Sequence, residues 1–279
     1  MNLAILDYLT TFSIIQIENS NTTIKNTHFT KNKVPCGTIQ NNGYTEILNC
    51  TFQENIGKRE SPTIEATIKY EKGNGADIHN KGYCNIINTT FKNTKVYAGS
   101  IGGSIYNNGT LILKNSEISG IKSLNVLNTA GHAVGAAIAN IGNLTIIDST
   151  IKDNLIRSTY NTRFQGTIHN EGLLTARRTI FMNNTALNGG QHPTDKGIDV
   201  KSLDTGSGNI YNLGGTLNIT ECIFINPQQG ILYHDIANLG GTIISLENNY
   251  WNGVNPNIYR NTNANIQKYI ILSAEPEYS

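Results

Sequence analysis

Large apolar residues recur at fixed distances from a short motif, isoleucine-x-asparagine-x-glycine, along most of the chain. It reads IQNNG from Ile39, IHNKG from Ile78, IYNNG from Ile105 and IANIG from Ile138. It returns as IHNEG from Ile168, IYNLG from Ile210 and IANLG from Ile236. Counting starts at a glycine that closes each copy: Gly43, Gly82, Gly109, Gly142, Gly172, Gly215 and Gly241. The ninth position then holds Phe52, Phe91, Ile118, Ile151, Phe181, Phe224 and Tyr250. The second holds Thr45, Cys84, Leu111, Leu144, Leu174, Leu217 and Ile243, and the fourth Ile47, Ile86, Leu113, Ile146, Ala176, Ile219 and Ser245. The seventh is always small: Cys50, Thr89, Ser116, Ser149, Thr179, Cys222 and Asn248. Alternation within each pair of positions, with a phase change between the pairs, predicts two short strands joined by a bend. The motif isoleucine begins a third. Each repeat is then one turn of a three-stranded coil, and the motif glycines fit a corner where φ is positive.

Successive copies start 39, 27, 33, 30, 42 and 26 residues apart. The variation falls between the aromatic position and the next isoleucine, so one corner carries loops, the longest near Ile56–Asn74 and Thr185–Ser207. A degenerate earlier coil is readable in TTIKNTHF, with Ile24 and Phe29 in the expected slots. A helical solenoid is excluded because Thr, Ile, Asn and Gly dominate and no 3.6-residue apolar period appears. The fold class predicted is all-β: a parallel β-helix of about eight coils, right-handed by analogy with parallel crossovers, and about 40 Å long. Its boundaries are placed at 13–258. Residues 1–12 are read as an N-terminal segment or the cut end of a longer chain, and 259–279 as a C-terminal segment or the start of a following module.

The motif asparagines Asn41, Asn80, Asn107, Asn140, Asn170, Asn212 and Asn238 share one column. Stacked amides donate to one neighbour and accept from the other, so a hydrogen-bonded ladder is expected. The four cysteines, Cys36, Cys50, Cys84 and Cys222, include no C-x-x-C pair. Their slots predict four free, buried thiols. Charged residues are only 15% of the chain and the net charge is +1, which implies no nucleic-acid partner. No apolar run is long enough for a membrane span. The opening MNLAILDYLTTFSIIQI has no basic n-region and is broken by Asp7, so it does not read as a signal peptide.

Candidate chemistry is sparse. Glu46 and Glu117 fall in different coils and on different strands, not as the facing carboxylates a glycosidase needs. His132, in GHAVG, has no acid or base partner pattern. His192, Asp195, Asp199 and Asp204 share a loop, but their spacing matches no calcium loop. No catalytic residue, metal site or cofactor is expected. Seven sequons, at Asn21, Asn49, Asn88, Asn108, Asn143, Asn183 and Asn218, are what an Asn/Thr-rich composition supplies by itself. Between the motif isoleucine and asparagine stand Gln40, His79, Tyr106, Ala139, His169, Tyr211 and Ala237. Alternation turns this column outward, making His79, Tyr106, His169 and Tyr211 candidate glycan contacts. Six residues after the glycine, Asp148, Arg178 and Glu221 replace asparagines in successive coils, predicting an acid–base–acid ladder.

GGSIYNNGTLILKNSEI, together with FTKN, FQEN and FMNN at Phe29, Phe52 and Phe181, resembles the repeats of polymorphic outer-membrane proteins. It resembles more closely the Asn/Thr-rich adhesin-like surface proteins of methanogenic archaea. NNYWNGVNPN, from Asn248 to Asn257, is similar to an aromatic element closing those repeats, with Tyr250 replacing a tryptophan. The resemblance spans about Thr22 to Ser273. It implies a secreted or cell-surface β-helix acting as a non-catalytic adhesin or stalk, with surface glycans or partner-cell proteins as ligands. The competing expectation is a polysaccharide-active β-helix lyase or hydrolase.

Overall fold

The structure, a computed structural model, describes residues 3–6, 13–57, 74–97, 101–124, 135–158, 166–188, 207–225, 234–252, 258–260, 265–266 and 269–272. Every regular element among them is a strand, and the strands pair in parallel between successive turns of a β-helix. One coil runs Ile105–Asn107, Thr110–Lys114, Glu117–Ser119 and Lys122–Leu124. These are here called the asparagine, long, aromatic and fourth strands.

The coil thus has four strands where the sequence pattern predicts three. The fourth strand is short, and the number of residues between it and the next motif varies from coil to coil, which hides its periodicity. Its residues nonetheless pair in register, as in Lys95↔Lys122 and Lys122↔Leu155. The asparagine strands form a nine-stranded sheet and the fourth strands a six-stranded one. Pairing also reaches beyond the expected limits: Leu3–Leu6 lies beside Thr27–Thr30, and Ile258–Arg260 and Tyr269–Leu272 continue the far end.

The interior follows the predicted columns. Ile47, Ile86, Leu111, Leu113, Ile146, Leu174 and Leu217 are buried, and Phe29, Phe52 and Phe91 stack with centroids 4.6 and 4.8 Å apart. Ile118 and Ile151 continue the column, which ends in Phe181, Phe224 and Trp251 at 4.8 and 4.2 Å. Near-parallel ring pairs of this kind add about 0.5–1.5 kcal/mol each beyond their burial. Trp251, not Tyr250, fills the last slot. Between Leu217 and Asn218 the register with the final long strand slips, leaving Ile244 as an extra, 38% exposed residue. Every later slot moves by one, so Leu246 and Asn249 take the inward places assigned to Ser245 and Asn248.

The motif glycines have a different cause from the one expected. None of those used for counting has positive φ. A Cβ at Gly82, Gly109, Gly142 or Gly172 would instead lie 2.0–2.1 Å from the carbonyl oxygen of the equivalent glycine in the preceding coil. Close stacking of backbones requires them. In the last two copies the turn gains a residue, and there Gly214 and Gly240 do adopt φ 70° and 69°. The left-handed corner lies six residues further on, where Asn49, Asn88, Asn115, Asp148, Arg178 and Glu221 have φ between 46° and 55°. Asparagine is frequent there because it tolerates that region best after glycine.

The small seventh column forms its own ladder. The backbone N–H of Thr89 donates to Ser116 Oγ (3.1 Å) and that of Ser116 to Ser149 Oγ (3.2 Å), while each hydroxyl donates to the carbonyl two residues back. Cys222 Sγ makes the same contact with Thr220 O at 3.2 Å, so a thiol replaces a hydroxyl there. Burial pushes the Cys84 and Cys222 thiols up to about 12. All four cysteines are free. Cys36 departs from expectation in being only half-buried, since it precedes the asparagine strand rather than lying in a core column.

Candidate functional site

The seven motif asparagines are fully buried and joined head to tail. Asn41 Nδ2 donates to Asn80 Oδ1, and the pattern continues through Asn107, Asn140, Asn170, Asn212 and Asn238 with N···O distances of 2.6–2.7 Å. Each amide between Asn80 and Asn170 also donates to the glycine carbonyl two residues on, at 3.0–3.2 Å. From Asn41 to Asn212 no amide donor is spared for a ligand. This column is scaffold.

A second polar column, at the corner before the fourth strand, lies outside the repeat positions considered in the sequence analysis. Asn32 Nδ2 donates to Asn55 Oδ1, and Asn55 Nδ2 to Asp77 Oδ1 at 2.8 Å. Thr94 and Ser104 hydroxyls close on Asp77 Oδ2 at 2.9 and 2.6 Å. Burial outweighs these donors and raises the Asp77 pKa from 3.8 to about 6. Further along, Asn154, Asn184, Asn209 and Asp235 repeat the arrangement. The available signal was Asn55, Asn154 and Asn184, each twelve residues after a motif glycine.

The four candidate glycan contacts share one column, as predicted. His79 meets Tyr106 edge-on at 4.9 Å, and His169 stacks on Tyr211 at 5.5 Å. They do not form a solvent-facing platform, because His79, Tyr106, His169 and Tyr211 are only 1%, 8%, 2% and 0% exposed. The alternation argument identifies which side of the strand they occupy but not what packs there. The segment leading into each asparagine strand lies against the next coil: a Cβ at Gly37 would stand 3.0 Å from His79 Cβ, and one at Gly166 2.8 Å from Tyr211 Cβ. His169 Nε2 also contacts Glu171 Oε1 at 2.8 Å, a hydrogen bond that holds the Glu171 carboxyl below its usual range.

The acid–base–acid ladder forms. Arg178 grips Asp148 through two bonds of 2.5 and 3.0 Å and reaches Glu221 at 3.6 Å, while Arg177 forks onto Glu221 at 3.1 Å twice. The hydrogen bond from Arg178 holds the Asp148 carboxyl below its usual range, which suits an ion pair and not a proton donor. Glu46 accepts from Tyr44 Oη at 3.3 Å, and Glu117 pairs with Lys152 at 3.1 Å. No group of three His, Cys, Asp or Glu side chains able to hold a metal occurs among the described residues. His132, His192, Asp195, Asp199 and Asp204 lie outside them. No helix among those residues is long and apolar enough to cross a membrane.

A groove of about 470 Å³ runs along the outer corner between the aromatic and fourth strands of the first coils, edged by Lys31, Lys33, Lys95 and Lys122. No sequence motif singles out these lysines; they gather only when the coils stack. The chain matches no family model, no curated protein and no solved structure.

Proposed function

We propose that this protein is a non-catalytic adhesin-like or stalk protein of the cell surface, binding glycan or protein partners through its long faces. The observation carrying this reading is the uninterrupted asparagine ladder through seven coils. It makes a stiff, self-templated rod whose inner polar groups are spent on structure, leaving the outer faces for contact. The resemblance to adhesin-like repeats supports a secreted or surface location. Sequons at the exposed Asn88, Asn108, Asn143 and Asn183 would carry glycans on an exported chain.

A glycan array read alongside a polysaccharide-degradation assay tests the proposal. Retention of particular glycans or of partner-cell proteins, with no product released, is the expected result. Cleavage of any bound polysaccharide would replace the adhesin reading with the enzymatic one.

A further inference from the structure

The lysine groove has features that a merely solvated surface does not require. Its edge carries four lysines against one acid, Glu54, a local formal charge of +3 on a chain whose net charge is only +1. Lys95 and Lys122 are direct partners in adjacent fourth strands, one strand spacing apart. Like charges so placed destabilise a sheet. Lys33 lies two steps before Lys95 in the same ladder, with Ile56 between them. None of the four lysines has a carboxylate partner among the described residues, although Lys152, Arg177 and Arg178 nearby on the solenoid all do. Glu54 is occupied instead by Gln53 Nε2 at 2.9 Å.

The floor is shaped as well. The left-handed corner column that carries side chains at Lys31, Glu54 and Asn93 has none at Gly120, where φ is 64°. A Cβ there would meet Asn93 Oδ1 at 2.5 Å, so glycine leaves the groove open beside Lys122.

We infer that this groove binds a linear acidic polysaccharide, its carboxylate or sulfate groups lying along the Lys33–Lys95–Lys122 line parallel to the solenoid axis. The inference rests on the glycan-binding reading above and names its ligand class. Three ammonium groups spread over about 14 Å suit a regularly charged chain better than a single anion. Lysine offers a point charge for such monodentate contacts. Half-buried Ile56 gives an apolar patch for a sugar face between charged steps. A single-stranded nucleic acid is disfavoured because no aromatic ring lines the groove, and stacking rings carry that kind of binding.

The test uses the full chain, with fluorescence anisotropy of a labelled heparin-derived hexasaccharide and a labelled oligogalacturonate. A neutral cello-oligosaccharide and a short oligothymidylate serve as comparisons. At least one acidic oligosaccharide should bind in low salt and weaken as salt rises. The Lys95→Gln/Lys122→Gln variant should lose about tenfold in affinity or more, with an unchanged melting temperature. Lys25→Gln/Lys114→Gln, at exposed lysines of the long strands, should bind as wild type. Gly120→Asn, which the left-handed corner tolerates, should also weaken binding by narrowing the groove. Failure of both acidic probes, or equal affinity in the Lys95→Gln/Lys122→Gln variant, would overturn the inference. Tighter binding of oligothymidylate with the same dependence on these lysines would overturn it in favour of nucleic acid. Neutral glycans bound independently of the groove would leave the adhesin reading standing while this inference fell.

Discussion

At the motif corner, seven asparagines succeed one another without a gap; at the loop corner, Asn32 and Asn55 give way to Thr94 and Ile121 before Asn154 and Asn184 resume. The two corners are equally buried and use the same amide chemistry. They differ in the stretch of chain just beyond the asparagine. At the motif corner it is a tight turn, one residue longer in the last two coils, closed by a glycine whose missing Cβ lets the coils stack. At the other it is a fourth strand and then a stretch of sequence whose length differs from coil to coil. A tight turn keeps each amide beside its neighbours, so any break would strand a donor on one side and an acceptor on the other. The loop corner instead closes its ladders in blocks. Asn55 donates to Asp77 and Asn209 to Asp235, so each block ends on a carboxylate, a group that only accepts when ionised. Between the blocks Ile121 and Ala137 are fully buried in the apolar core, and the Ile121 N–H is taken by Asn154 Oδ1 at 3.0 Å. In both columns the buried amides and carboxylates find partners, and continuity is only one way to supply them.

The sharpest way to break the comparison is Asn107→Ile. It removes the acceptor of Asn80 and the donor to Asn140 and uncovers the Gly109 and Asn143 carbonyls. With about 1–3 kcal/mol for each unsatisfied buried group, a loss of at least about 3 kcal/mol is expected in urea unfolding. A loss below about 1 kcal/mol would reduce the ladder to decoration.

Next in size is a pH effect at the loop corner. The folded pKa of Asp77, about 6, lies above its ordinary 3.8, so the folded state holds this proton more tightly than the unfolded one. Its stabilising contribution is complete below the unfolded value and declines as pH rises toward 6. Asp77→Asn, the residue type found in the same column at Asn209, removes that dependence. Between about pH 4 and 7 the variant should gain on wild type by up to about 3 kcal/mol, the value of a shift of roughly two units. Parallel pH–stability curves for the two proteins would show that the Asp77 proton is not coupled to folding.

Ile121→Asn sharpens the contrast from the other side. It exchanges apolar burial for a link between the two blocks, and should cost less than about 2 kcal/mol by the same urea assay. A cost equal to that of Asn107→Ile would erase the distinction between the corners.

Smallest is the exposed arginine ladder. Arg178→Ala should lower stability by about 0–1 kcal/mol, as for other partly exposed pairs. Arg178→Glu should be worse, because Asp148 and Glu221 would then flank a third acid. Equal melting temperatures for the two variants would deny the pairing any role.

These contrasts also explain what the sequence made legible. Phe52, Phe91, Phe181 and the motif asparagines are read correctly because each keeps a constant distance from its glycine. Asn55 and Asp77 touch in space but stand 22 residues apart, a separation set by a stretch whose length varies between coils, so no fixed spacing joins them. Trp251 is missed for a smaller reason of the same kind: one extra residue, Ile244, shifts the frame. Leu246 and Trp251, apolar at the shifted positions, were the clue. His79, Tyr106, His169 and Tyr211 are placed in the right column and given the wrong exposure, since period-two alternation says nothing about what packs outside a strand. The lysine groove is the least legible feature. Lys95 and Lys122 each stand thirteen residues after their glycines, but Lys31 and Lys33 come from the degenerate first coil, where no motif glycine marks the frame.

The central claim is that the motif column is one continuous hydrogen-bonded ladder, and side-chain amide hydrogen exchange reads it directly. The Nδ2 protons of Asn80, Asn107, Asn140, Asn170 and Asn212 should exchange as slowly as the backbone amides of the strands around them, while those of the exposed Asn115 exchange at the rate of a free amide. Uniformly fast exchange along the motif column, with the strands still protected, would contradict the claim.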